Sequence, residues 1–291
     1  MITKNEAVPE LAEAFEMKSL YFKREDLHPY GSHKGRSTPF MMSHYIKLGF
    51  KKFAISSSGN AALAAAHYVE HLNSIGVKDI TLDILVGQHI KTKKLRKLEQ
   101  FSNDNIRITS HDRPLQTLFT ITKDPTIKGL RQSNDDVSLV GYETLAEELL
   151  QIPDLKAVFM GTSSGTTAQA LSQYFADKGK KIEFHIVQTS SCHEIANEFV
   201  DDPVIDEESI ADAIVDRTAI RKDAVLKLIK KNGGNGWIAT NEQILAAQEI
   251  TKKNTGIDIS TNSALSVAGL MQAVYTGNAW KGSVVCMICG D

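Results

Sequence analysis

Short apolar, β-branched runs alternate along this chain with longer stretches whose apolar positions recur every three to four residues. The short runs predict strands at residues 53–56, 80–86, 106–109, 137–140, 157–160, 182–188 and 284–288. The longer stretches predict helices, among them 142–151, with Leu145, Leu149 and Leu150 on one face, then 224–231 and 242–252. Strands separated by helix-length segments imply βαβ units, hence an α/β fold with mostly parallel sheets covered on both faces. Periodicity is weakest over residues 110–136, which read as one helix plus loops near a lobe boundary. The run 201–208 holds five acidic residues and Pro203 and reads as a solvated loop.

Composition narrows the function classes. The chain has 291 residues, enough for two lobes. Its 33 Lys and Arg against 35 Asp and Glu give a net charge of −2, without the basic excess of a nucleic-acid binder. Three cysteines in a chain this long do not make a disulfide framework. The N-terminus lacks the apolar run of a signal peptide, and the longest uncharged stretch, 259–280, is too polar to span a bilayer. A cytoplasmic enzyme is expected, with no nucleic-acid or membrane partner and no metal site.

Three segments carry candidate chemistry. In YFKREDLHPYGSHKGR, residues 21–36, a tight turn leads to Lys34 at a predicted helix start, where the positive helix end disfavours the ammonium form. In ISSSGNAALAAA, residues 55–66, a strand ends in Ser56, Ser57, Ser58, Gly59 and Asn60 before an Ala-rich helix, a place for an anion such as a carboxylate, or simply a serine-rich helix cap. In VFMGTSSGTTAQAL, residues 158–171, a strand ends in a Gly- and hydroxyl-rich loop whose amides would cradle a phosphate. Neither the dinucleotide fingerprint nor the P-loop spacing fits this loop. An amine, a carboxylate-type anion site and a phosphate site together suit pyridoxal phosphate, though not uniquely.

With GSHKGR at 31–36, SSGN at 57–60 and GTSSGTT at 161–167, the sequence resembles the fold-type-II pyridoxal-phosphate enzymes, the tryptophan-synthase-β-like family. The resemblance extends over nearly the whole chain, through VPEL near Pro9, GYETLAEELL at 141–150, STNSALSVAGL at 260–270 and VVCMICGD at 284–291. It implies a two-lobed, three-layer αβα architecture. Residues 1–36 and 141–291 would form the larger, cofactor-binding lobe, and residues 37–140 a smaller mobile lobe carrying Ser57 to Asn60. It further implies that Lys34 forms the Schiff base with pyridoxal 5′-phosphate and acts as general base. His33 would lie near the phosphate, which Gly161, Thr162, Ser163, Ser164, Gly165 and Thr166 would hold. Asn60 would contact the pyridoxal hydroxyl, Ser57, Ser58, Gly59 and Asn60 would hold the substrate, and Cys289 would take the place of the Ser or Thr beside the pyridine nitrogen. Family members are commonly dimers, so a homodimer acting on a small amino acid is expected.

Cys286 and Cys289 also spell C-x-x-C, but residues three apart on a strand face opposite sides, so a redox pair is not expected. The acidic loop of tryptophan synthases is absent from the SSGN position. SSGN followed by Ala61 and Ala62, with GYETLAEELL, favours a threonine-synthase-like or threonine/serine-dehydratase-like β/γ-elimination or replacement. The third motif is closer to cysteine synthases, and Gly35 and Cys289 depart from the pattern. A cysteine-synthase-like β-replacement and a catalytically silent member therefore stay open.

Overall fold

In the computed structural model, residues 2–206 and 208–290 are described; Glu207 of the acidic run and Asp291 lie outside them. The strands are β1 (Asn5–Ala7), β2 (Ser19–Arg24), β3 (Lys52–Ser56), β4 (Thr81–Gly87), β5 (Ile106–His111), β6 (Ile127–Gly129), β7 (Leu155–Gly161), β8 (Glu183–Thr189), β9 (Gly236–Ala239) and β10 (Ser283–Ile288). They form a six-stranded sheet, β1-β2-β10-β7-β8-β9, and a four-stranded sheet, β5-β4-β3-β6. Every pairing is parallel except that of β1 with β2. The chain divides into two compact units, Met1–His28 with Tyr142–Asp291, and Pro29–Gly141.

The first unit is built on the six-stranded sheet. Phe22, Phe159, Val187, Val284, Cys286 and Ile288 pack on one face against the helices Pro9–Ala14, Asn241–Thr255 and Thr261–Tyr275. The alternate residues Val158, Phe184, Ile186, Val285 and Met287 are buried too, on the face beside the helices Thr166–Asp177 and Lys222–Asn232. Two dry faces explain why these strands read as continuous apolar runs. Fully burying each such side chain is worth roughly 1.5–3 kcal/mol. Among the described residues, no helix is long and apolar enough to cross a membrane.

The second unit repeats this logic on four strands. Phe53, Ile55, Ile84, Val86 and Ile106 face the helices Lys34–Lys47, Asn60–Ser74 and Thr92–Glu99, while Ala54 and Leu85 face Leu118 of the helix Pro114–Ile121. That helix is the one expected within 110–136; β6 is an addition to it.

One expectation is corrected. Residues 137–140 are a helical turn, Val137–Val140, and not a strand. The Asp135 carboxylate accepts from the Val137 amide at 3.1 Å, an Asx-type turn that favours a helical bend over so short a run. By internal contacts the chain divides after His28 and after Gly141. The helix beginning at Lys34 packs along the helices Asn60–Ser74 and Val137–Val140, which draws residues 29–36 into the second unit.

Candidate active site

In the second unit, chemistry gathers at the C-terminal edge of the parallel sheet. β3 leaves that edge through Ser57, Ser58 and Gly59 into the helix Asn60–Ser74. Its N-cap is Gly59, so the expected serine cap does not form; the Ser57 hydroxyl instead accepts from the Gly59 amide at 3.3 Å. An N-cap with no side chain supplies no cap acceptor of its own, an arrangement found where helix starts bind anions. By contrast, Thr240 and Ser260 cap their helices with their own hydroxyls.

β6 runs parallel beside β3 and leaves the same edge into the turn Gln132–Asn134. There the Gln132 side-chain oxygen accepts from the Lys34 amine at 2.8 Å. Lys34 is the first residue of its helix, after His33, which is buried. The Lys34 amine and the 57–60 loop therefore share one edge of one sheet. Gln132 was not found by sequence reasoning; nothing marks a glutamine in a weakly periodic stretch as a partner of a lysine 98 residues away.

The loop after β7, in the first unit, is closely packed around Gly165. Gly165 forms the N-cap of the helix Thr166–Asp177 in the left-handed region, at φ 84°. A Cβ there would lie 2.9 Å from Val225 and 3.1 Å from Ile195, so only glycine fits. Ser164 and Thr166 share a hydroxyl bond of 3.0 Å beside the first-turn amides. Two of the expected phosphate ligands are engaged elsewhere through their side chains. The Thr162 hydroxyl donates to the Met160 carbonyl at 3.0 Å. The Ser163 hydroxyl accepts from the amides of Val215 and Asp216 at 3.1 and 3.2 Å. These two side chains tie the loop to its surroundings, and the Ser164–Thr166 hydroxyl pair stands at the helix start.

Cys289 follows β10 and is buried; the Gly290 carbonyl beside it accepts from the Ser260 hydroxyl at 2.8 Å. Cys286 is fully buried, its thiol pushed well above the ordinary range by desolvation and its sulfur donating to the Ser266 carbonyl. Such a thiol is an inert core group. Among the described residues no cluster of metal-ligating side chains occurs.

A family model described as "Pyridoxal-phosphate dependent enzyme" matches residues 2–290. The chain is 26% identical to the threonine synthase of Mycobacterium leprae over 282 residues, covering 94% of this chain and 76% of the relative. It is 27% identical to the threonine synthase of Halalkalibacterium halodurans, covering 93% and 77%. Among solved structures, a pyridoxal 5′-phosphate-dependent aspartate racemase superposes with a TM-score of 0.83 at 19% identity, covering all of this chain and 90% of that one. The processed form of threonine deaminase isoform 2 from Solanum lycopersicum gives 0.80 at 19% identity, covering 99% and 78%.

Proposed function

The chain belongs to the family of pyridoxal-phosphate-dependent enzymes, and on that premise we propose that it eliminates or replaces a group at the β or γ carbon of a small amino acid, in the manner of threonine synthases or of threonine and serine dehydratases. Pyridoxal 5′-phosphate is its cofactor, and the groups present fit it. Gly165 leaves a helix start with no side-chain cap, flanked by the Ser164 and Thr166 hydroxyls, which suits a phosphate. Lys34 brings a primary amine, which suits an aldehyde.

In this reading Lys34 carries the cofactor, and the loop Gly161, Thr162, Ser163, Ser164, Gly165 and Thr166 holds its phosphate, with His33 near it. Asn60 would serve the ring hydroxyl, Cys289 the ring nitrogen, and Ser57, Ser58, Gly59 and Asn60 the substrate carboxylate. Family membership and the order of the three motifs are what support reading both sets of residues as serving one cofactor. When bound, the cofactor supplies an electron sink for charge developing at the substrate Cα. Lys34 Nζ takes the Cα proton and returns one later in the cycle. The first-turn amides after Gly59 neutralise the carboxylate and fix the Cα–H bond toward that amine. A neutral thiol at Cys289, where a carboxylate would favour added positive charge, promotes leaving-group loss over return of the proton to Cα.

The observation that carries this reading is that the Lys34 amine, held at Gln132 just past β6, and the 57–60 loop just past β3 lie at the same edge of one parallel sheet. Borohydride reduction of cofactor-loaded protein, followed by peptide mapping, is expected to label Lys34; label on any other lysine overturns the site. Lys34→Ala should stay folded and lose turnover by several orders of magnitude. A spectral titration with serine, threonine, O-acetylserine, O-phosphohomoserine and 2,3-diaminopropionate should give turnover of at least one. Silence across the panel overturns the reaction class.

A further inference from the structure

The pairing of Lys34 with Gln132 points beyond attachment of the cofactor. Lysine is long and flexible, and ordering such a side chain costs up to roughly 2 kcal/mol. An amine that must be released, move a proton at a defined carbon and be recaptured gains from a fixed resting place. Gln132 is built as one. Its amide is oriented by chemistry alone: the Lys34 ammonium can only donate, so the amide presents its oxygen to Lys34 and its nitrogen to the Thr38 hydroxyl, at 2.8 and 3.2 Å. Thr38 is one turn along the helix that Lys34 begins, so both ends of the amide are held by one helix.

The backbone behind Gln132 is stitched to that helix as well. The Gln132 carbonyl accepts from the Ser138 hydroxyl at 2.9 Å, and the Ser138 carbonyl accepts from the Ser37 hydroxyl at 2.7 Å. A few residues on, the Asp135 carboxylate accepts from the Tyr45 hydroxyl at 2.6 Å and pairs with Lys128 at 3.2 Å. Lys128 itself lies over the Tyr45 ring, 3.7 Å from its centre. The turn carrying Gln132 is thus fastened to the Lys34 helix on both sides of the amide.

We infer that Gln132 is a positioning residue that holds the Lys34 amine whenever that amine is free: before the cofactor is captured, and while the substrate's amine has displaced it. The inference rests on the reading that Lys34 carries the cofactor. It adds the claim that the released amine has a defined seat, so that its attack and proton transfer start from one geometry.

The test uses the full chain freed of cofactor. Limited acylation with acetic anhydride, followed by peptide mass spectrometry, gives the modification ratio of Lys34 to the exposed Lys252. Gln132→Met keeps the shape and removes the acceptor; it is expected to raise that ratio by roughly tenfold, the size of one hydrogen bond to a charged group. Gln132→Glu keeps an acceptor and should hold the ratio at or below the wild-type value. Thr38→Val releases the far end of the amide and should raise the ratio in the same direction as Gln132→Met. The inference is overturned by ratios within twofold of wild type in both Gln132→Met and Thr38→Val. An equal rise in Gln132→Met and Gln132→Glu also overturns it, since the acceptor would then be irrelevant. If Gln132→Met does not fold, Thr38→Val and Gln132→Glu decide by the same criteria. Borohydride mapping of the loaded wild-type chain separates the two readings: label at Lys34 with unchanged ratios removes only the role of Gln132.

Discussion

His185, buried in β8, gathers the two tryptophans of the chain. The Trp237 indole donates to its Nδ1 at 3.2 Å, so that nitrogen is unprotonated and Nε2 carries the hydrogen toward the Glu183 carboxylate, 3.3 Å away. Phe159 stacks on the imidazole, and Trp280 meets it edge-on while donating to Glu183 at 2.7 Å. Desolvation lowers the His185 pKa, and Glu183 offsets this only in part. The unfolded chain takes up a proton here as pH falls through about 6.5, whereas the folded chain resists until lower pH. The stability His185 contributes at neutral pH is therefore lost from that point downward. The thermal midpoint should fall between pH 7 and pH 5, with a change in tryptophan fluorescence as the Trp237 bond breaks, and His185→Gln should flatten both profiles. Gly141 makes a different residue-level demand: a Cβ there would lie 2.6 Å from the Ser37 backbone. Gly141→Ala should cost about 1–3 kcal/mol of stability in chemical denaturation, as overpacking does.

At the scale of elements, Ser163 ties the cradle loop to residues 208–221, a segment with little secondary structure of its own. Side chains from elsewhere hold that segment: Asn241 accepts from the Ile210 amide, Asn262 from the Ala213 amide, and Ser163 from those of Val215 and Asp216. Ser163→Ala should speed proteolytic cleavage within this segment severalfold and weaken cofactor retention, read by limited digestion and by dialysis. Much of the element plan was legible beforehand. The doubly buried strands β3, β4, β7, β8 and β10 announce themselves as apolar runs, and two of the three Gly- and Ser-bearing turns follow β3 and β7 directly. What stayed hidden depends on partners far away in sequence. β1 and β6 have three residues each, too few for a pattern, and β9 starts at a glycine after Gly233 and Gly234. Lys23 is buried in β2, with Glu148 at 2.5 Å and the Thr3 carbonyl at 2.9 Å around its amine, a placement its charge alone does not announce. Val137–Val140 has strand-forming residues, but the Asp135 carboxylate bonds the Val137 amide in a local turn that leads into a helix. In the candidate site the glycines and Lys34 could be read from the motifs. The seat provided by Gln132, and the engagement of Thr162 and Ser163 within their loop, could not, because hydroxyl and amide partners leave no trace in periodicity.

For the whole molecule, cofactor binding is a stability statement. A ligand held only by the native state adds about 2.7 kcal/mol at a hundred times its dissociation constant. Stripping pyridoxal phosphate should lower the thermal midpoint by several degrees, and re-addition should restore it in the wild type but only in part in Lys34→Ala. The sheet orders carry a consequence of another kind, in the timing of assembly. The strands of the unit Pro29–Gly141 lie within one uninterrupted stretch of chain, whereas β10 sits between β2 and β7 in the other sheet, joining residues 19–24 to residues 283–288. On the ribosome the four-stranded sheet has all its partners early. The six-stranded sheet keeps two apolar strand edges open until residues 283–288 emerge, and during that interval chaperone capture and mispairing compete with native closure.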